Sequence, residues 1–71
     1  MFQYLPVENK AFSPYLGPYR TFGLRVLRSG EEVMVLPDVS TDFAFVLRLA
    51  GLFTRKQLDP LHLAEVLEDL L

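Results

Sequence analysis

Apolar positions crowd the middle of the chain. Ser40 to Phe53, STDFAFVLRLAGLF, is its most apolar stretch. At the helical spacing of about 100° per residue, Phe43, Val46, Leu47, Leu49, Ala50 and Phe53 share one broad arc, which predicts a core-facing helix over residues 41–53. The opposite side is unusual. There Phe45 and Leu52 flank Arg48, with Ala44 and Gly51 nearby. A helix that is apolar on most sides has to be covered on most sides. The cover comes either from the C-terminal segment of the same chain or from a second copy or another protein.

Before this helix the period changes from 3.6 to 2. In YRTFGLRVLR, residues 19–28, one side carries Arg20, Phe22, Leu24, Val26 and Arg28, and the other Tyr19, Thr21, Gly23, Arg25 and Leu27. The first set is the expected buried face, with arginines at its ends where they reach water. Ser29-Gly30 supplies a two-residue turn, so residues 19–36 form a β-hairpin in which Arg28 faces Glu31, Val26 faces Val33 and Leu24 faces Val35. That register buries Val33 and Val35, whereas a three-residue loop would bury Met34 and Leu36. In the two-residue register Leu27, Met34 and Leu36 lie on the outer face, which is apolar for open water. Pro37 ends the ladder because it has no N–H.

Ser40 is the expected N-cap of the central helix, with Asp38 as a rival two residues earlier. Asp59-Pro60 is the clearest local signal. An aspartate cap followed by proline at the first helical position opens a helix, here over residues 60–70, since that proline's missing N–H would be unpaired anyway. Leu63, Ala64, Val66, Leu67, Leu70 and Leu71 span one arc of it, and His62, Glu65, Glu68 and Asp69 the other. At the front, residues 1–7 alternate loosely and form at most a short edge strand, where proline is tolerated. Residues 8–18, ENKAFSPYLGP, read as a loop that lays Phe12, Tyr15 and Leu16 on the core rim. The pattern predicts one small α+β domain over residues 1–71. It has a two- or three-stranded antiparallel sheet followed by two α-helices packed on one face, in the order (β)ββαα.

Length and composition sharpen this. A core built from 71 residues is thin for its surface. Chains of this size usually lean on disulfides, metals or oligomerisation. With no cysteine and one histidine, the first two routes are closed or nearly so, which leaves tight packing or self-association. Met1 to Asn9 has neither the basic start nor the apolar run of a secretory signal, and no stretch reaches the ~18 apolar residues of a membrane span. A cytoplasmic setting without membrane attachment is expected.

The net charge of −2 gives no general attraction to phosphate. Its distribution is uneven: residues 1–30 carry +3 and residues 31–71 carry −5, so the two halves attract one another within the fold or across a dimer. Arg20, Arg25 and Arg28, beside Tyr4, Tyr15 and Tyr19, are the residues a nucleic-acid binder would use, but such proteins also need a basic groove. His62, Glu65 and Asp69 follow i, i+3, i+7 spacing and make half a metal site, which only a second copy could complete. No glycine-rich phosphate loop exists, and Ser13, Ser29 and Ser40 each have a turn or capping role.

The order of pieces resembles a family of short bacterial proteins classed only as a domain of unknown function. The resemblance rests on Phe22 to Leu24, Asp38 to Ser40, and the closing Leu58, Pro60, His62, Leu63, Val66, Glu68 and Asp69, and covers about residues 19–71. Phe22 stands where that family usually has tyrosine. The resemblance implies a fold and a bacterial cytoplasmic setting and brings no activity, and its motifs are mostly caps and core positions.

The expected function is therefore a small non-catalytic interaction or regulatory module, without cofactor or metal, that binds another protein or itself as a homodimer. Its candidate interface is Phe45, Arg48, Leu52, Leu27, Met34 and Leu36. The alternatives are a nucleic-acid-associated protein using Arg20, Arg25 and Arg28 and, more remotely, a metal-dependent enzyme assembled at a dimer.

Overall fold

The computed structural model describes all 71 residues. Three strands form an antiparallel sheet in sequential order: β1 (Phe2–Ser13), β2 (Gly17–Arg28) and β3 (Glu31–Ser40). Helix α1 (Phe43–Lys56), a short 3-10 turn (Pro60–His62) and helix α2 (Leu63–Leu70) follow. The class and order are those expected, with the edge strand present, but residues 8–18 are not a loop. Asn9, Lys10 and Ala11 face Thr21, Arg20 and Tyr19, so the first two strands run as one ribbon to a tight turn. Gly17 at φ 75° closes that turn, and the Ser13 hydroxyl accepts from the backbone N–H of Tyr15 and Leu16 (3.2 and 3.3 Å). The two prolines of residues 8–18, Pro14 and Pro18, sit in the turn and just beside it, positions that ask for no inner-ladder N–H.

The long ribbon sets the shape. Twelve residues at ~3.3 Å span about 40 Å, which matches the longest dimension of 39 Å. The 14 residues of α1 cover only about 21 Å at ~1.5 Å each. At one end of the helix Gln57 meets Phe2, and at the other Phe43 packs edge-on against Phe22, with ring centroids 5.1 Å apart. The ribbon beyond Glu8 and Phe22 therefore projects past the helix. Phe12, Tyr15 and Leu16, expected on the core rim, are exposed on this arm.

Both helices bury their apolar stripes on the same face of the sheet. Tyr4, Leu24, Val26, Val46, Leu49, Ala50, Phe53, Leu63 and Leu67 make the core, with Phe2, Phe22, Met34, Leu36, Phe45 and Leu52 packed against it. The hairpin turn is the two-residue Ser29-Gly30 turn, with positive φ at both positions and Arg28 facing Glu31. One step later the register departs from expectation. Leu27 faces Glu32 but Val26 faces Met34, so Val33 is an extra residue, a β-bulge that reverses the facing of everything after it. Met34 and Leu36 turn inward, while Val33 and Val35 turn to solvent. The inward residues are the larger ones, and each additional buried methylene stabilises by about 0.8 kcal/mol.

A second irregularity carries β3 past Pro37. Pro37, Asp38 and Val39 lie between the Leu36–Leu24 and Ser40–Phe22 pairs, opposite Gly23 alone. The β3 backbone passes so close to Gly23 that a Cβ there would collide with the Leu36 carbonyl and lie 2.7–2.8 Å from Pro37. Buried Thr21 anchors the bend by donating its hydroxyl to the Asp38 carboxylate (2.6 Å). With Asp38 so used and Ser40 accepting from the N–H of Asp42, the N-cap of α1 falls to Asp42, whose carboxylate accepts from Phe45 N–H (3.3 Å). The buried stripe is also rotated from expectation. Val46, Leu49, Ala50 and Phe53 form its centre and Phe45 and Leu52 border it, leaving Phe43 and Leu47 about half exposed. α1 runs three residues further than expected and ends at Gln57 in the left-handed region (φ 52°).

Candidate functional site

Of the six candidate interface residues, four are partly buried against the chain's own core. Phe45 and Leu52 pack against their own core, as do Met34 and Leu36 once the bulge has turned them inward. The same chain thus covers much of Phe45 and Leu52, while Phe43 and Leu47 of α1 stay about half exposed. Leu27 and Arg48 remain, and they mark two different surfaces.

Leu27 belongs to the sheet face that carries no helix. Alternation along the strands puts Leu5 and Val7 of β1, Arg25 and Leu27 of β2, and Glu32 and Val35 of β3 on this side, whereas bulged Val33 leaves the alternation and lines a shallow hollow with Phe2, Met34, Pro60 and Leu61 at the helix-bearing side. Val33 and Val35 are 49% and 43% exposed. At the centre of the helix-free face Arg25 Nε donates to Glu32 Oε1 at 2.7 Å, so the two charges neutralise one another. The result is an apolar, electrically balanced patch. Sequence reasoning missed Val35 because a bulge has no hydropathy signature: either register gives alternating apolar residues.

Arg48 belongs to a shallow groove of about 680 Å³ between α1 and the edge of β1, lined by Gln3, Tyr4, Arg48, Gly51, Leu52, Thr54 and Arg55. The strand edge beside it is closed by side chains. The Gln57 carboxamide accepts from Phe2 N–H (2.8 Å) and donates to Phe2 C=O (2.9 Å), imitating a neighbouring strand. Thr54 Oγ1 accepts from Tyr4 N–H (2.9 Å), and Pro6, next in the alternation, has no N–H to offer. Edge strands left open recruit other chains, and this one is blunted over its first half.

Tyr4 shows a perturbed titration with a structural cause. Burial of the ring, helped by the negative charge of Asp59, pushes its pKa from 10.0 up to about 12. Its hydroxyl donates to the Leu58 carbonyl (2.7 Å), and its ring meets Phe53 edge-on. The group joins β1 to the turn between the helices and faces no pocket suited to proton transfer.

The remaining candidates are dispersed. Arg20 lies on the helix-bearing side and pairs with Glu8 (2.6 Å), while Arg25 lies on the opposite side with Glu32, so the three arginines of β2 share no basic stripe. His62 Nδ1 is 4.0 Å from Glu65 Oε2, both exposed, and no cluster of three His, Cys, Asp or Glu side chains forms within the chain. No helix is long and apolar enough to cross a membrane. No family model, curated protein or solved structure matches the chain.

Proposed function

We propose that this is a small, non-catalytic interaction module that works as a homodimer, in a cytoplasmic setting, and that two copies join through the helix-free face of the sheet. The observation that carries this reading is the patch of Leu5, Val7, Leu27 and Val35 around the Arg25–Glu32 pair, left bare because both helices pack on the other side. Three features favour a second copy as its occupant. Only 11 of the 71 residues are buried in one chain, and without disulfides further burial is the remaining route to stability. The patch carries one cation and one anion already paired, so two identical faces meet without like-charge repulsion. A two-fold contact, the commonest symmetry among oligomers, requires this kind of self-complementary surface.

Sedimentation equilibrium tests the reading. The chain of 8.1 kDa is expected to run at twice that mass at micromolar concentration. Val35→Glu places a fixed charge on the patch and should yield a folded monomer with at least about tenfold weaker association. A wild-type monomer throughout, or a Val35→Glu dimer as tight as wild type, contradicts it.

A further inference from the structure

A pair of solvent-facing arginines on a helix is ordinary surface; the glycine between these two is not. Three of the four glycines have an internal reason to be there. Gly17 and Gly30 have positive φ, and Gly23 lies beneath the β3 backbone. Gly51 has neither: its φ is not left-handed, and a Cβ there would meet nothing within 4 Å. A glycine inside a helix weakens it relative to alanine, so at Gly51 the fold bears a cost with no return inside the chain. The groove supplies a reason outside it. Gly51 sits in the groove with Arg48 one turn before it and Arg55 one turn after, the two about 10 Å apart along the axis at ~1.5 Å per residue. Neither arginine forms an ion pair, in contrast to Arg20 and Arg25, which are both engaged.

We infer that the Arg48–Gly51–Arg55 groove is a docking site for an acidic polypeptide segment of a partner protein. The segment's backbone lies against Gly51, where the missing side chain permits close approach, and its carboxylates reach the two guanidinium groups on either side. Arginine is suited to this because its planar fork takes a carboxylate through two parallel hydrogen bonds. Leu52 and the Tyr4 edge give the segment some apolar surface. A nucleic-acid strand fits less well, since a regularly charged backbone needs a continuous basic track and this chain has a net charge of −2. The groove and the bare sheet face are different surfaces, so this inference goes beyond dimerisation and fails or holds separately from it.

The probe is a fluorescein-labelled two-heptad peptide with glutamates seven residues apart, measured by fluorescence anisotropy against the full chain at low salt, beside the same peptide with glutamines and an oligothymidine of equal charge. The acidic peptide should bind, and its glutamine analogue at least about tenfold more weakly. Arg48→Gln with Arg55→Gln should lose about tenfold or more, and Gly51→Leu should lose a similar factor by filling the groove. Circular dichroism should show that Gly51→Leu keeps or gains helix, which separates a blocked groove from a misfolded chain. Absence of acidic-peptide binding, equal binding of the two peptides, preference for the oligonucleotide, or wild-type affinity in Gly51→Leu overturns the inference. Sedimentation of the same samples reports the dimer independently.

Discussion

Tyr4 joins three parts of the molecule at one residue. Its ring fills the core against Phe53, its hydroxyl reaches the Leu58 carbonyl, and its backbone N–H is taken by Thr54. Tyr4→Phe keeps the ring and leaves that carbonyl without its partner, with an expected loss of about 1–2 kcal/mol in urea unfolding. The pH dependence follows from the raised pKa. Below pH 10 the phenol is neutral in both folded and unfolded chains and the contribution is complete. Above pH 10 the unfolded chain ionises first, so stability falls as pH rises towards about 12, the folded value, and levels off beyond it. An absorbance titration of the folded protein near 295 nm should show a late tyrosine step near pH 12, that of Tyr4. Tyr4→Phe should remove the late step, and a wild-type protein lacking that step would contradict the assignment. Little of this was visible in the chain, where Tyr4 is simply one alternating aromatic near the start. Its hydrogen-bond partners lie 50 and 54 residues away, and no local spacing encodes a contact of that range.

The elements themselves were largely legible because their signals are local. The 3.6-residue period of α1, Asp59-Pro60 before the last helix, and Ser29-Gly30 between strands each act within a few residues. What escaped detection was the rotation of α1, the strand character of residues 8–13, and the facing of β3, all decided by neighbours. Gly23 shows the difference. In sequence it is a weak point in a strand, and in the fold it is the space through which β3 returns. Gly23→Ala should therefore cost about 3 kcal/mol or more, or prevent folding, because backbone rather than a flexible side chain must move. Gly51→Ala should do the opposite and stabilise by up to about 1 kcal/mol. Thermal unfolding of the two variants side by side checks both, and a mild Gly23→Ala would mean that β3 can move aside.

At the scale of the whole molecule, one bulged residue decides which surface is left for a partner. Had β3 kept the simple register, Met34 and Leu36 would face outward and Val33 and Val35 would line the core. With the bulge, Val35 joins Leu5, Val7 and Leu27 on a face that no helix covers. Length, the absence of cysteine and the apolar surface led to the expectation of a companion. That expectation placed the surface partly on Phe45 and Leu52 of α1, which pack against the chain's own core. An isotope-filtered NOE experiment on a mixture of labelled and unlabelled protein tests the relocated surface most directly. The methyl groups of Val35 in one copy should show contacts to Leu5, Val7 or Leu27 of the other. A dimer whose intermolecular contacts arise only from α1 and α2, or a sample with none at millimolar concentration, would contradict the central claim.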